Sequence, residues 1–221
     1  MIKLTAVAGD ITTSDADAIV VNLFDGVTSP SGATGAVDRA LDGAISALIA
    51  DKEIKGKQSQ ISMIHTLGKL PTKRVIVLGL GRREKFSVNV VRDVSGAVAR
   101  YLRRIGVSRA ATIAHGAGIG GLDASASAQA MAEGTALGLY TFNQYRTNRT
   151  DEPDNELATL EIVEQDQARL SALQDGLAKG VLLSEAVEIA RGLVNEPANV
   201  VNPVRMAEVA TDVAKAAGLT I

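Results

Sequence analysis

Short strand-like and helix-like patterns alternate along most of this chain, which predicts an α/β fold. The expected architecture is a mostly parallel central sheet with helices on both faces, followed by one long helix. Three observations carry that expectation. Apolar β-branched runs such as Arg74-Val-Ile-Val-Leu-Gly79 suit buried strands. Stripes such as Val88, Val91, Val94, Val98, Leu102 and Ile105 repeat at helical spacing between the runs. From Gln165 to Asn195 the helical spacing then continues for roughly 30 residues.

The elements follow in order. Ile2 to Val7 and Ala18 to Phe24 read as strands, punctuated by Gly9-Asp10 and by Asp15 to Asp17. Val37, Leu41, Ile45, Leu48 and Ile49 predict a helix. Ile61 to His65 reads as a strand, and Arg74 to Gly79 as a central one. Ser87 is placed to cap the next helix and Gly106 to stop it. Ala110 to Ala114 is a short strand, Asp123 caps a helix running to about Tyr145, and Leu157 to Val163 is the last strand. The polar stretch from Tyr145 to Asn155, with Pro153, reads as an exposed loop.

The long pattern places Leu170, Leu173, Leu177, Val181, Ala186, Ile189 and Leu193 on a helix on the order of 45 Å long. It reads as a spacer between two domains, weakened locally by Gly176, Gly180 and Gly192. Pro197 keeps Glu196 out of helical geometry. Asn202 can cap a further helix with Pro203 at its first position, and Gly218 can end it. The expected division is 1–164 for the first domain, 165–195 for the joining helix, and 196–221 for the beginning of a second domain.

Composition narrows the function classes. The chain has 221 residues, 46% hydrophobic but only 3% aromatic, so the core must be built from Ala, Val, Ile and Leu. A net charge of −2 argues against a generally nucleic-acid-binding surface. There is no cysteine, hence no disulfide, thiolate metal site or thiol nucleophile. The first ten residues are too short and too early broken for a signal peptide, and no apolar run approaches the roughly 20 residues of a membrane helix. A cytoplasmic chain is expected.

The local motifs are weak. Gly79-Leu-Gly81 follows a strand, but Glu84 stands where a dinucleotide fingerprint needs its third glycine. His65 and His115 are far apart and have no histidine partners. Asp151, Glu152 and Asp154 form the tightest acidic cluster and read as a solvated charge run. Arg100, Arg103, Arg104 and Arg109 gather where a helix C-terminus favours cations.

Three stretches in order resemble the leucyl (cytosol) aminopeptidases. They are Val75-Ile-Val-Leu-Gly-Leu-Gly81; Gly120-Gly-Leu with Ala128-Gln-Ala-Met-Ala-Glu-Gly-Thr-Ala-Leu-Gly-Leu-Tyr140; and Ala190-Arg-Gly-Leu-Val-Asn-Glu-Pro-Ala-Asn199 with Pro203. The resemblance spans about Val75 to Pro203, and its last stretch is the most specific. It implies a macro-like α/β amino-terminal domain joined by a long helix to a carboxy-terminal catalytic domain. It implies peptide substrates, hexamers, and two divalent ions, Zn or Mn, held by a lysine and carboxylates of the second domain. None of those metal-site motifs occurs before Ile221. The resemblance therefore gives no position here a catalytic or metal-ligating role and no cofactor to this chain. It implies a non-catalytic portion serving assembly and active-site access.

Gly9-Asp-Ile-Thr12 followed by Ala16-Asp-Ala-Ile-Val20 also resembles the opening of macrodomains, which bind ADP-ribose. That resemblance implies an adenine contact for Asp10, beside Ile11. Gly32, Gly35 and Ala36 sit before a helix, where backbone N–H groups could cradle phosphate, and Gly116, Gly118 and Gly120 could form a second phosphate loop. Ser29-Pro-Ser-Gly-Ala-Thr-Gly35 stands where macrodomains carry an asparagine-rich, triple-glycine segment. A macrodomain-type ADP-ribose or nucleotide-binding module is thus the second expectation.

Overall fold

The computed structural model describes residues 2–118, 120–145, 147 and 156–221. The acidic cluster at Asp151, Glu152 and Asp154 lies outside them, as does most of the polar loop.

Among the described residues six strands form one sheet: β1 (Lys3–Ala8), β2 (Ala18–Phe24), β3 (Ile61–His65), β4 (Arg74–Gly81), β5 (Arg109–Thr112) and β6 (Thr159–Glu164). Their order across the sheet is β1-β6-β5-β2-β4-β3. All neighbours are parallel except β3, which runs antiparallel to β4 at one edge. The expected α/β architecture is therefore borne out, with β4 an inner strand.

Strand alternation sends side chains to two faces. Ile19, Val21, Leu23, Val75 and Val77 meet α1 (Gly32–Ala40) and α2 (Ala44–Ala50) through Val37, Leu41 and Ile45. Ala18, Val20, Ile76, Leu78 and Leu80 meet α3 (Val88–Arg104) through Val94, Val98 and Leu102. On that same side Ala6 and Ile162 pack under α4 (Ala124–Leu139) and α5 (Leu170–Asn195). The result is three layers with an aliphatic core, as the scarcity of aromatics requires.

The helix expected around Val37 to Ile49 is broken in two. Asp42 and Gly43 adopt left-handed φ of 54° and 82°. The buried Asp38 carboxylate then accepts from the Ile45 and Ser46 amides at 2.8 and 3.0 Å, capping the first turn of α2. Spacing alone could not show that break, because both pieces bury the same face. The α4 helix stops at Leu139, short of the expected Tyr145. Ser87 occupies the cap position of α3 without a side-chain cap bond, whereas Asp123 caps α4 by accepting from the Ala126 amide at 2.9 Å.

The Gly79-Leu-Gly81 motif serves close approach. A Cβ on Gly79 would lie 1.9 Å from the Lys57 carbonyl, since the turn before β3 crosses over the end of β4. Gly79 and Gly81 donate there to the Gln60 and Gly56 carbonyls.

Helix α5 spans 26 residues and runs beside α4 along its length. Near its start, a Cβ on Gly176 would lie 2.2 Å from the Ser125 carbonyl oxygen. Near its end, Arg191 donates to the Leu137 carbonyl at 3.2 Å and Asn195 to the Tyr140 hydroxyl at 3.1 Å. Beyond it Glu196 accepts from Gln144 and Tyr145. The last helix, α6 (Pro203–Ala216), starts as expected, with Asn202 accepting from the Arg205 amide at 3.0 Å. Among the described residues no helix is long and apolar enough to cross a membrane.

Candidate functional site

The parallel strands β1, β2, β5 and β6 end at a common rim, where α/β sheets open their crevices. A cleft of about 260 Å³ lies there. The segments after β1 and β5, the end of β6 and the start of α1 surround it, with Arg169 at one side.

Of the residues singled out in the sequence, Ile11, Gly32, Gly116, Gly118 and Gly120 line this cleft. Asp10 and Gly35 are not among its lining residues. The Asp10 carboxylate is occupied locally. One oxygen accepts from the Thr12 amide at 2.8 Å and its hydroxyl at 2.7 Å, and the other accepts from Gln165 at 3.2 Å. The backbone bond from Thr12, then its hydroxyl, holds the Asp10 carboxyl below its ordinary pKa. Gly35 has a packing reason, because a Cβ there would lie 2.7 Å from the Pro30 carbonyl oxygen.

The loop after β5 is built on glycine for two reasons. Gly118 sits at φ 114°, which L side chains rarely adopt. A Cβ on Gly116 would lie 2.4 Å from the Phe86 ring that supports the loop. At the opposite wall, the Thr34 hydroxyl ties α1 to β2 by donating to the Asn22 carbonyl at 2.7 Å.

The floor contains a polar chain that sequence reasoning missed. The Asn22 amide NH₂ donates to His115 Nδ1 at 3.0 Å, and His115 Nε2 lies 3.4 Å from the Thr112 hydroxyl. Since the amide is a donor, the imidazole proton belongs on Nε2. His115 is fully buried, and desolvation lowers its pKa to about 4, so the ring is neutral at physiological pH. Its carbonyl accepts from Ser127 on α4 at 2.7 Å, joining the cleft floor to the helical layer. A lone asparagine in the apolar run Ala-Ile-Val-Val-Asn22-Leu-Phe was the available signal. Gln165, just after β6, and Arg169, in the turn that leads into α5, carried none, because they meet the rim only once the strands are assembled.

Cleft electrostatics are mixed. Arg169 is paired with Asp166 at 3.3 Å, Glu164 lies on the rim, and the uncapped N-terminus of α1 adds partial positive charge. This arrangement suits binding of a small polar ligand better than proton transfer. Divalent metals do not fit these residues. His115 has both ring nitrogens engaged and His65 lies on the β3 edge. Among the described residues no three His, Cys, Asp or Glu side chains group as metal ligands.

The sequence model described as "Cytosol aminopeptidase family, N-terminal domain" matches residues 20–149. A curated relative from Alkaliphilus metalliredigens, named probable cytosol aminopeptidase, is 37% identical over 207 residues, covering 93% of this chain and 41% of the relative. Among solved structures, a mutant of tomato leucine aminopeptidase superposes with a TM-score of 0.78 at 22% identity, over 98% of this chain and 42% of that one. A Trypanosoma brucei macrodomain in complex with ADP superposes with a TM-score of 0.61 at 12% identity, over 79% of this chain and 68% of that one. At those identities the two structures speak for the fold alone. The chain spans about two fifths of the length of the curated relative, at 41%.

Proposed function

The chain belongs to the cytosol aminopeptidase family, matching its N-terminal domain, and from that premise we propose that it is the non-catalytic amino-terminal portion of a metal-dependent leucyl aminopeptidase. Hydrolysis, on two divalent ions (Zn or Mn), belongs in this reading to a carboxy-terminal domain of the longer protein. Peptides are the substrates, the compartment is the cytoplasm, and the whole protein is a hexamer. The proposed division is 1–164, 165–195 and 196–221, with the middle helix joining the two domains while its first half stays packed on α4.

The family match over residues 20–149 carries this reading. The exposed apolar residues of α6, Val204, Met206 and Val213, support it, since a second domain would cover them. The test is an assay on leucyl-anilide substrates with added Mn or Zn, beside a full-length relative. No turnover is expected from the 221-residue chain. Metal-dependent turnover that co-purifies with it would overturn the division of labour.

The cleft favours a second reading, a macrodomain-type site for ADP-ribose or a nucleotide built on Ile11, Gly32, Gly116, Gly118 and Gly120. With the Asp10 carboxylate held by Thr12 and Gln165, the adenine contact expected of it is weakened. Titration calorimetry should show no saturable ADP-ribose binding below about 1 mM, or roughly −4 kcal/mol. A low-micromolar dissociation constant lost in Asp10→Ala would put this reading first.

A further inference from the structure

The cleft at the rim of the sheet is smaller than the sites that hold drug-sized ligands, about 260 Å³ against roughly 300–1,000 Å³. Its lining sorts by chemistry. Ile11, Phe24, Ile113 and Val163 give it apolar walls. A hydrogen-bond acceptor and a cationic donor then face one short loop.

The acceptor is Asn22. Its amide NH₂ is committed to His115 Nδ1 at 3.0 Å, which turns the side-chain oxygen the other way. That oxygen accepts no hydrogen bond among the described residues. It is also not one of the sealed, unpartnered polar atoms of the interior, which are Ser95 Oγ and Thr135 Oγ1. Asn22 lines the cleft, so the oxygen opens onto it. Glu164 on the same rim adds negative charge; one of its oxygens accepts from the Asp166 amide at 3.0 Å.

The donor is Arg169. Its Nε pairs with Asp166 at 3.3 Å, which leaves the two terminal nitrogens. Nη1 comes within 3.4 Å of where a Cβ on Gly118 would lie, so the guanidinium lies over the loop after β5. His115, which holds Asn22, begins that loop. Three peptide steps separate it from Gly118, at most about 11 Å. Acceptor and donor therefore come within reach of one small ligand.

A diphosphate would suit Arg169 but set its charges against the Asn22 oxygen and Glu164. A simple amine would leave Arg169 unmatched. An ammonium and a carboxylate on one carbon match both, and an aliphatic side chain matches the walls. We infer that this cleft binds a free aliphatic α-amino acid, its carboxylate on Arg169 and its ammonium on the Asn22 oxygen. That such a ligand is a product of peptide hydrolysis, sensed away from the catalytic domain, rests on the aminopeptidase reading above. The binding itself rests on the cleft alone. Failed binding would leave the family reading standing, and a parent without peptidase activity would leave the binding standing.

Titration calorimetry of the 221-residue chain with L-leucine tests it. Saturable binding is expected, with a Kd on the order of 1 mM or below. Isocaproate lacks the ammonium and isoamylamine lacks the carboxylate. Each should bind at least about tenfold more weakly, because each leaves a polar group of the site unmatched. Arg169→Gln should weaken leucine binding at least about tenfold with an unchanged circular dichroism spectrum. Leucine should shift the NMR signals of the Asn22 side-chain amide and of the Gly116 and Gly118 backbone amides. No saturation by about 10 mM leucine would overturn the proposal. So would either analogue binding as tightly as leucine, indifference to Arg169→Gln, or shifts confined to residues outside the cleft. Low-micromolar ADP-ribose binding that leucine does not compete with would also overturn it. If Arg169→Gln does not fold, the two analogues decide.

Discussion

The two halves of α5 lie against the same neighbour and are held to it by different physics. In the first half, Leu173 and Leu177 are buried, and Gly176 and Gly180 let two backbones touch. In the second half, Leu182, Leu183, Val187, Ile189 and Val194 are exposed, and the ties to α4 and the residues after it are polar ones from Arg191 and Asn195. Glycine changes meaning between the halves. A Cβ on Gly180 would lie 2.6 Å from the Ala132 Cβ, while one on Gly192 would meet nothing within 4 Å. The first half is fastened by shape, and the second presents a surface.

The sharpest way to break the comparison is to spoil that shape. Gly176→Ala puts a methyl 2.2 Å from the Ser125 carbonyl oxygen, a backbone atom that cannot swing aside. The helices must separate, and overpacking of this kind costs up to about 3 kcal/mol, occasionally more. Urea unfolding should show a lower midpoint with little change in slope. Wild-type stability in Gly176→Ala would mean that α5 is not packed on α4 as described.

Acid should loosen the fastened part from below. Burial lowers the pKa of His115 from 6.5 to about 4, so the unfolded chain takes up that proton at higher pH than the folded one. The contribution of the neutral ring is complete above about pH 6.5 and is lost as pH falls towards 4, about 3 kcal/mol in all. His115→Gln should flatten the stability profile between those values. An unchanged slope in the variant would assign the acid sensitivity to other groups.

The presenting part should behave as a separate unit. Amide exchange across α6 should be much faster than across Val75 to Leu78 in β4, which is buried on both faces. Asn202→Ala removes the side-chain cap on the Arg205 amide and should cost α6 about 1 kcal/mol. Exchange in α6 should rise while the global urea midpoint stays put. A matching drop in that midpoint would show α6 to be coupled to the three-layer domain.

Elements set by local rules were legible in the sequence. Ala18–Phe24 and Ile61–His65 are strands over the expected residues, and Asn202 and Pro203 open α6 as expected. What escaped depends on distant partners. The Asp38 cap that splits α1 from α2 is made by residues on both sides of a break within one continuous apolar stripe. Glu84 already told against a nucleotide loop at Gly79, but the close approach of the Lys57 carbonyl that requires glycine there comes from the turn before β3. At the cleft the glycines were visible as a cluster, but Asn22, His115 and Thr112 become a chain only when β2 and β5 lie side by side. The roles of Gly176, Gly180 and Gly192 likewise depend on whether another helix lies against them.

That last distinction gives the smallest expected effect and the cleanest contrast. Gly192→Ala adds a methyl in open space near the end of a regular helix. No close approach requires glycine there, and its φ is not among the positive ones. Replacing it should remove backbone freedom from the unfolded chain and raise helix stability by about 0.5–1 kcal/mol. Both substitutions are Gly→Ala in one helix, so propensity predicts the same sign for each, and only packing reverses it at position 176. A double variant should show the two effects adding, since the sites are about 24 Å apart along the helix axis. A clear loss of stability in Gly192→Ala alone would mean that the second half of α5 is held closely by a neighbour, in which case it is fastened by shape as the first half is.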